Sequence, residues 1–149
     1  MEELGATASA VISFVERIEE DTASLYERLG MSYPEQKEMF FAFAKDCRKN
    51  KTLVTRTYQE TVTDALETGY SFKGLVLNDF QPHVEWQDGK PLSVALESAI
   101  SLEREAVHLY TDLAARSKTL LSTIPTAFRR IADVRAAHIS RLELAARPT

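Results

Sequence analysis

Residues 96–110 read L-E-S-A-I-S-L-E-R-E-A-V-H-L-Y. At about 100° per residue, Leu96, Ala99, Ile100, Ala106, Val107 and Tyr110 gather on one side of a helix, and Ala114 continues the stripe. Glu103 projects from the middle of that apolar side. A carboxylate there is costly unless a counter-charge, a hydrogen-bond donor or a metal meets it. The same combination occurs early in the chain, where Val11, Val15, Ile18, Thr22 and Tyr26 define a face and Glu19 lies on it. Glu16 and Glu20 point elsewhere. In both segments a tyrosine follows the inward glutamate by seven residues, Tyr26 after Glu19 and Tyr110 after Glu103.

Each of these segments leads into a second one that also has a counterpart. Residues 40–50 read F-F-A-F-A-K-D-C-R-K-N, and residues 128–138 read F-R-R-I-A-D-V-R-A-A-H. Two helical hairpins in tandem predict an all-α four-helix domain spanning residues 1–149. The first helix is expected from about Ala6 to Leu29, ending at Gly30 as a helix C-terminal residue. Ser32-Tyr33-Pro34 reads as the start of the second, with proline in the first turn. That helix should run to about Glu67, near Gly69. The third should follow Pro91 and span Leu92 to about Ser117, and the fourth should run from Thr123–Pro125 to about Arg147. Residues 69–90 carry Phe72, Leu75, Val76, Leu77, Phe80 and Trp86, too many apolar side chains for a loose linker. They read as a long crossover joining two helices that point the same way. His83, beside Pro82, reads as a surface or packing residue.

The bulk composition narrows the function. The chain has 149 residues, 44% hydrophobic and 27% charged, ordinary values for one globular domain. A formal net charge of −4, with no basic stripe, argues against nucleic acid as a partner. Cys47 is the only cysteine, which excludes an internal disulfide and a CxxC metal knuckle. No apolar run approaches the ~20 residues that span a bilayer. Met1-Glu2-Glu3-Leu4 lacks the basic-then-apolar layout of a signal peptide. A cytoplasmic protein with no membrane partner is the expectation.

Glu19 and Glu103, at the same offset from Tyr26 and Tyr110, together resemble the rubrerythrin-like branch of the ferritin-like proteins. The resemblance covers nearly the whole chain. It implies a ferritin-like four-helix bundle with a long crossover between helices two and three. In that family two helices each give a Glu, and the other two each give a Glu-x-x-His pair, all directed at two irons. Glu19 and Glu103 match the single-Glu positions. The Glu-x-x-His positions correspond to Cys47-x-x-Asn50 and Arg135-x-x-His138, so only His138 is retained among those four. A di-iron centre needs about four carboxylates nearby, whereas Arg135 brings a guanidinium that does not deprotonate in proteins. Full-length rubrerythrins also carry a four-cysteine iron module, which a chain with one cysteine cannot build.

The first expectation is therefore a degenerate di-iron site: no cofactor, and a buried ion-pair network of Arg135 with Glu103 and Glu19, joined by His138 and Asn50. Its function would be that of a non-enzymatic scaffold or interaction protein, as a homodimer with a further, unidentified protein partner. A second reading uses Cys47, Glu19, Glu103 and His138 as a remodelled site for zinc or iron. It implies a rubrerythrin-related oxidoreductase that reduces peroxide or handles iron. A third has a small molecule or lipid in an open cavity within the bundle, with Arg135 turned outward. Tyr26 and Tyr110 read as core residues with bonded hydroxyls. Glu105-x-x-His108 also spells the metal motif, but it lies on the face opposite Glu103.

Overall fold

The computed structural model describes residues 6–61, 71–72, 89–117 and 123–147. Four long helices dominate it: α1 (Ala8–Ser32), α2 (Lys37–Thr61), α3 (Leu92–Arg116) and α4 (Thr123–Ala146). A single 3-10 turn, Pro34–Gln36, separates α1 from α2. Two residues on each side form a minimal antiparallel bridge, β1 (Ala6–Thr7) against β2 (Ser71–Phe72), with Ala6 opposite Phe72. The architecture is an all-α four-helix bundle, as the repeated pattern predicts.

Prolines mark three of the helix starts for one physical reason. The first N–H groups of a helix have no internal partner, so a residue that lacks an N–H is tolerated there. Pro34 opens the turn into α2, Pro91 immediately precedes α3, and Pro125 falls in the first turn of α4. Gly30 behaves differently from expectation. The helix does not stop there: α1 continues through Gly30 to Ser32. A Cβ on Gly30 would lie 2.7 Å from the Phe41 ring, so the missing side chain lets α1 and α2 approach closely where they turn into one another. The expected extension of α2 from residue 62 to about Glu67 lies outside the described residues, as do His83 and most of the expected crossover.

The core falls into two apolar halves. One gathers Val11, Phe14 and Ile18 from the start of α1, Val54 from the end of α2, Leu109 and Leu113 from the end of α3, and Phe128 and Ile131 from the start of α4. The other gathers Tyr26 and Leu29 from the end of α1, Phe40 and Phe43 from the start of α2, Leu96 and Leu102 from the start of α3, and Leu142 from the end of α4. This division fixes the directions. α1 is antiparallel to α2, and α3 to α4, while α2 and α3 run the same way. Two successive helices that run the same way require a connection along the length of the bundle. Tyr33 braces that arrangement at one end, its hydroxyl donating to the Lys90 carbonyl just before α3.

Candidate functional site

Between the two apolar halves lies a polar layer. Its members are Glu19 and Thr22 from α1, Asn50 from α2, Glu103 from α3, and Arg135 and His138 from α4, all buried. Each helix contributes at least one polar group at mid-length, where the periodic apolar stripe would otherwise continue.

Arg135 is the hub. Its guanidinium is wholly out of solvent and donates to both inward carboxylates, through Nη1 to Glu103 Oε1 and through Nη2 to Glu19 Oε2 at 2.6 Å. Nη2 also donates to the Thr22 hydroxyl at 3.2 Å, and that hydroxyl donates onward to the Ile18 carbonyl at 2.7 Å. Nε of Arg135 has no hydrogen-bond partner among the described residues. Burial disfavours the charge on Arg135, but the surrounding acidic groups outweigh that, and its pKa lies well above the ordinary value. The guanidinium is a permanent cation at the centre of the bundle.

The two carboxylates are satisfied in different ways. Glu19 accepts from Asn50 Nδ2 at 2.9 Å and from the Tyr110 hydroxyl at 2.5 Å, besides Arg135. Glu103 accepts from Arg135 and faces His138 Nδ1. Burial pushes the Glu103 carboxyl up, yet the charge of Arg135 and the His138 contact outweigh it and hold the group below its ordinary value. Tyr110 serves across the repeat. Residues seven apart on one helix are separated by about 10 Å, so Tyr110 bonds the glutamate of the other half. Tyr26 lies within the field of Glu103, although its hydroxyl has no hydrogen-bond partner among the described residues. Burial raises both phenols well above their ordinary pKa, so both stay neutral.

His138 connects this layer to the surface. Its Nε2 lies 2.9 Å from Oδ2 of Asp46, whose side chain is 38% exposed. Both ring nitrogens thus face carboxylates, Glu103 on one side and Asp46 on the other. The ring stacks on Phe43 with centroids 3.9 Å apart, and Tyr26 meets it edge-on at 6.2 Å.

Glu19, Glu103, His138, Cys47, Asn50 and Arg135 are all buried. Cys47 belongs to the apolar half beside the layer. Burial lifts its thiol well above the ordinary range, against the pull of Arg135, and the nearby carboxylates add to the rise. A protonated thiol is a poor metal ligand. Glu105 and His108 are exposed, as their helical phase requires. Asp46 and Phe43 were missing from the sequence-based constellation. Asp46 lies four residues before Asn50, a spacing that puts both on one face of α2, and this is the one signal that pointed to it.

These residues do not fit a di-iron centre. The guanidinium of Arg135 stands between Glu19 and Glu103, the two carboxylates retained from the family's ligand set, and it already uses their oxygens. A tetrahedral zinc on Cys47, Glu19, Glu103 and His138 meets the same obstacle, with the thiol protonated and His138 held between Glu103 and Asp46. Among the described residues no group of three or more His, Cys, Asp or Glu side chains is arranged to hold a metal ion. An open central cavity required Arg135 to turn outward, and it turns inward. No protein-family model matches the chain, and neither a curated protein nor a solved structure matches it.

Proposed function

We propose that this chain is a ferritin-like bundle of the rubrerythrin type whose metal-binding positions have been given over to a fixed ion-pair layer, and that it acts as a non-enzymatic scaffold or interaction protein. The observation that carries this reading is the inward guanidinium of Arg135, bonded to Glu19 and Glu103 at the level where the family would hold iron. The parallel course of α2 and α3 and the paired Glu and Tyr positions support the ferritin-like assignment. A buried pair of this kind contributes register more than stability, because only one alignment of the helices satisfies every group. In this proposal the bundle is a homodimer that presents its outer faces to a protein partner.

Metal analysis tests the reading. Protein expressed in iron- and zinc-supplemented medium should carry neither metal in stoichiometric amount. Bound iron or zinc near one per chain, abolished by Glu103→Ala or His138→Ala, would instead establish a rubrerythrin-related metal protein. The combined change Cys47→Glu, Asn50→His and Arg135→Glu restores the family's ligand set and should recover iron binding, which an unrelated bundle would not do. Sedimentation equilibrium tests the dimer separately.

A further inference from the structure

A cleft of about 270 Å³ lies between α2 and α4, with Asp46 and Asn50 among its lining residues. Its walls carry Lys49 and Arg56 from α2 and Arg130 from α4, over an apolar floor of Leu53 and Val134. In a chain of net charge −4, three cations around one small cleft are a local reversal of sign. No ion pair or hydrogen bond among the described residues engages any of the three. This contrasts with the neighbouring groove between α1 and α2, which Arg56 also borders. There Arg48 bonds Glu20 and Glu27, and Lys51 bonds Glu20, so those charges are spent on one another.

One acidic residue, Asp46, lines the α2–α4 cleft. Asp46 directs its carboxylate to His138 Nε2 at 2.9 Å, toward the bundle interior. Three cations against one carboxylate leave the lining of the cleft with an excess of positive charge. Clefts lined by one sign of charge over low-dielectric walls concentrate the field and draw in counter-ions. Arg56 on α2 and Arg130 on α4 carry planar guanidinium forks, a group suited to oxyanions with several oxygens, while Lys49 adds a compact point charge.

From this we propose that the α2–α4 cleft is a binding site for a small multivalent oxyanion, of the pyrophosphate or phosphate-ester class. The volume sets the scale. Pockets for drug-sized ligands run from about 300 Å³ upward, so this cleft takes a compact phosphorylated molecule in preference to a full nucleotide. Nucleic acid would need a basic stripe along the surface instead of one cleft. The site stands independently of whether the buried layer once held metal.

Calorimetric titration of the full chain with inorganic pyrophosphate, at low ionic strength, tests the proposal. Saturable binding is expected, with Arg130→Gln and Arg56→Gln each weakening it about five- to ten-fold. Both side chains are exposed, so the variants should keep the wild-type circular dichroism and melting curve. Arg104→Gln removes an equal charge from the exposed Arg104–Glu143 pair and should leave affinity unchanged. Asp46→Asn removes the cleft's carboxylate and should tighten binding. The idea is overturned by an absence of saturable heat up to about 10 mM pyrophosphate, by an equal loss in Arg104→Gln, or by weaker binding in Asp46→Asn. Tighter binding of a short single-stranded oligonucleotide than of pyrophosphate would overturn it too.

Discussion

Arg135 Nη2 lies 2.6 Å from Glu19 Oε2, joining α4 to α1 across 116 residues of chain with both side chains fully buried. The same guanidinium holds Glu103 on α3, so one side chain links three helices. Removing one partner of a buried pair is far more damaging than replacing the whole set, because the charges left behind have neither water nor counter-charge.

Arg135→Ala should therefore lower unfolding free energy by about 3–5 kcal/mol in urea denaturation. A loss below about 0.5 kcal/mol would mean that the side chain is not buried between carboxylates. Replacing Glu19, Glu103 and Arg135 together with Leu or Met should recover much of that loss, since no charge is then stranded.

Acid should loosen the bundle through Glu103. Its folded pKa is depressed, so its stabilisation is fully present above the unfolded value of about 4.3 and is lost as pH falls through the lower folded value. Urea midpoints measured from pH 7 down to pH 3 should drop along this limb. Glu103→Gln cannot titrate, so its curve should start lower at neutral pH and fall less steeply below pH ~4.

Cys47 should be chemically silent in the folded state. Its thiol is buried and its pKa raised, so too little thiolate is present to react. Ellman's reagent at mildly alkaline pH should label native protein only at the rate of its opening, and should label it at once in concentrated urea. Rapid stoichiometric labelling of the native chain would contradict the packing around α2.

Gly30 and Phe41 should show coupling. In a free helix Ala is favoured over Gly by about 1 kcal/mol, but here a Cβ would press on the Phe41 ring. Gly30→Ala should therefore destabilise the wild type, yet stabilise a Phe41→Ala background, where the ring is gone. Equal effects in the two backgrounds, measured as a double-mutant cycle, would show that the close approach does not matter.

Helix content and the buried layer were legible in the sequence for the same reason. Apolar residues recur with the helical period, and Glu19, Glu103, Arg135 and His138 interrupt that period at matching places. A polar residue inside a periodic apolar stripe reports its own burial. Where Gly30 sits was legible too, but not what it does. A glycine near a helix end reads as a stop, and only the neighbouring Phe41 turns it into a close-packing position.

Residue order along each helix thus determined which side chains face inward and which charges must meet. It anticipated Arg135 between Glu103 and Glu19, but not every partner these groups take. The seven-residue offset places Tyr110 on the same helix face as Glu103, yet its hydroxyl bonds Glu19, because two helical turns separate residues on one helix while facing helices touch. Asp46 on His138 and Phe43 against the imidazole likewise join α2 to α4. Those pairings depend on crossing distances and rotations between helices, which local periodicity does not encode and tertiary packing alone decides.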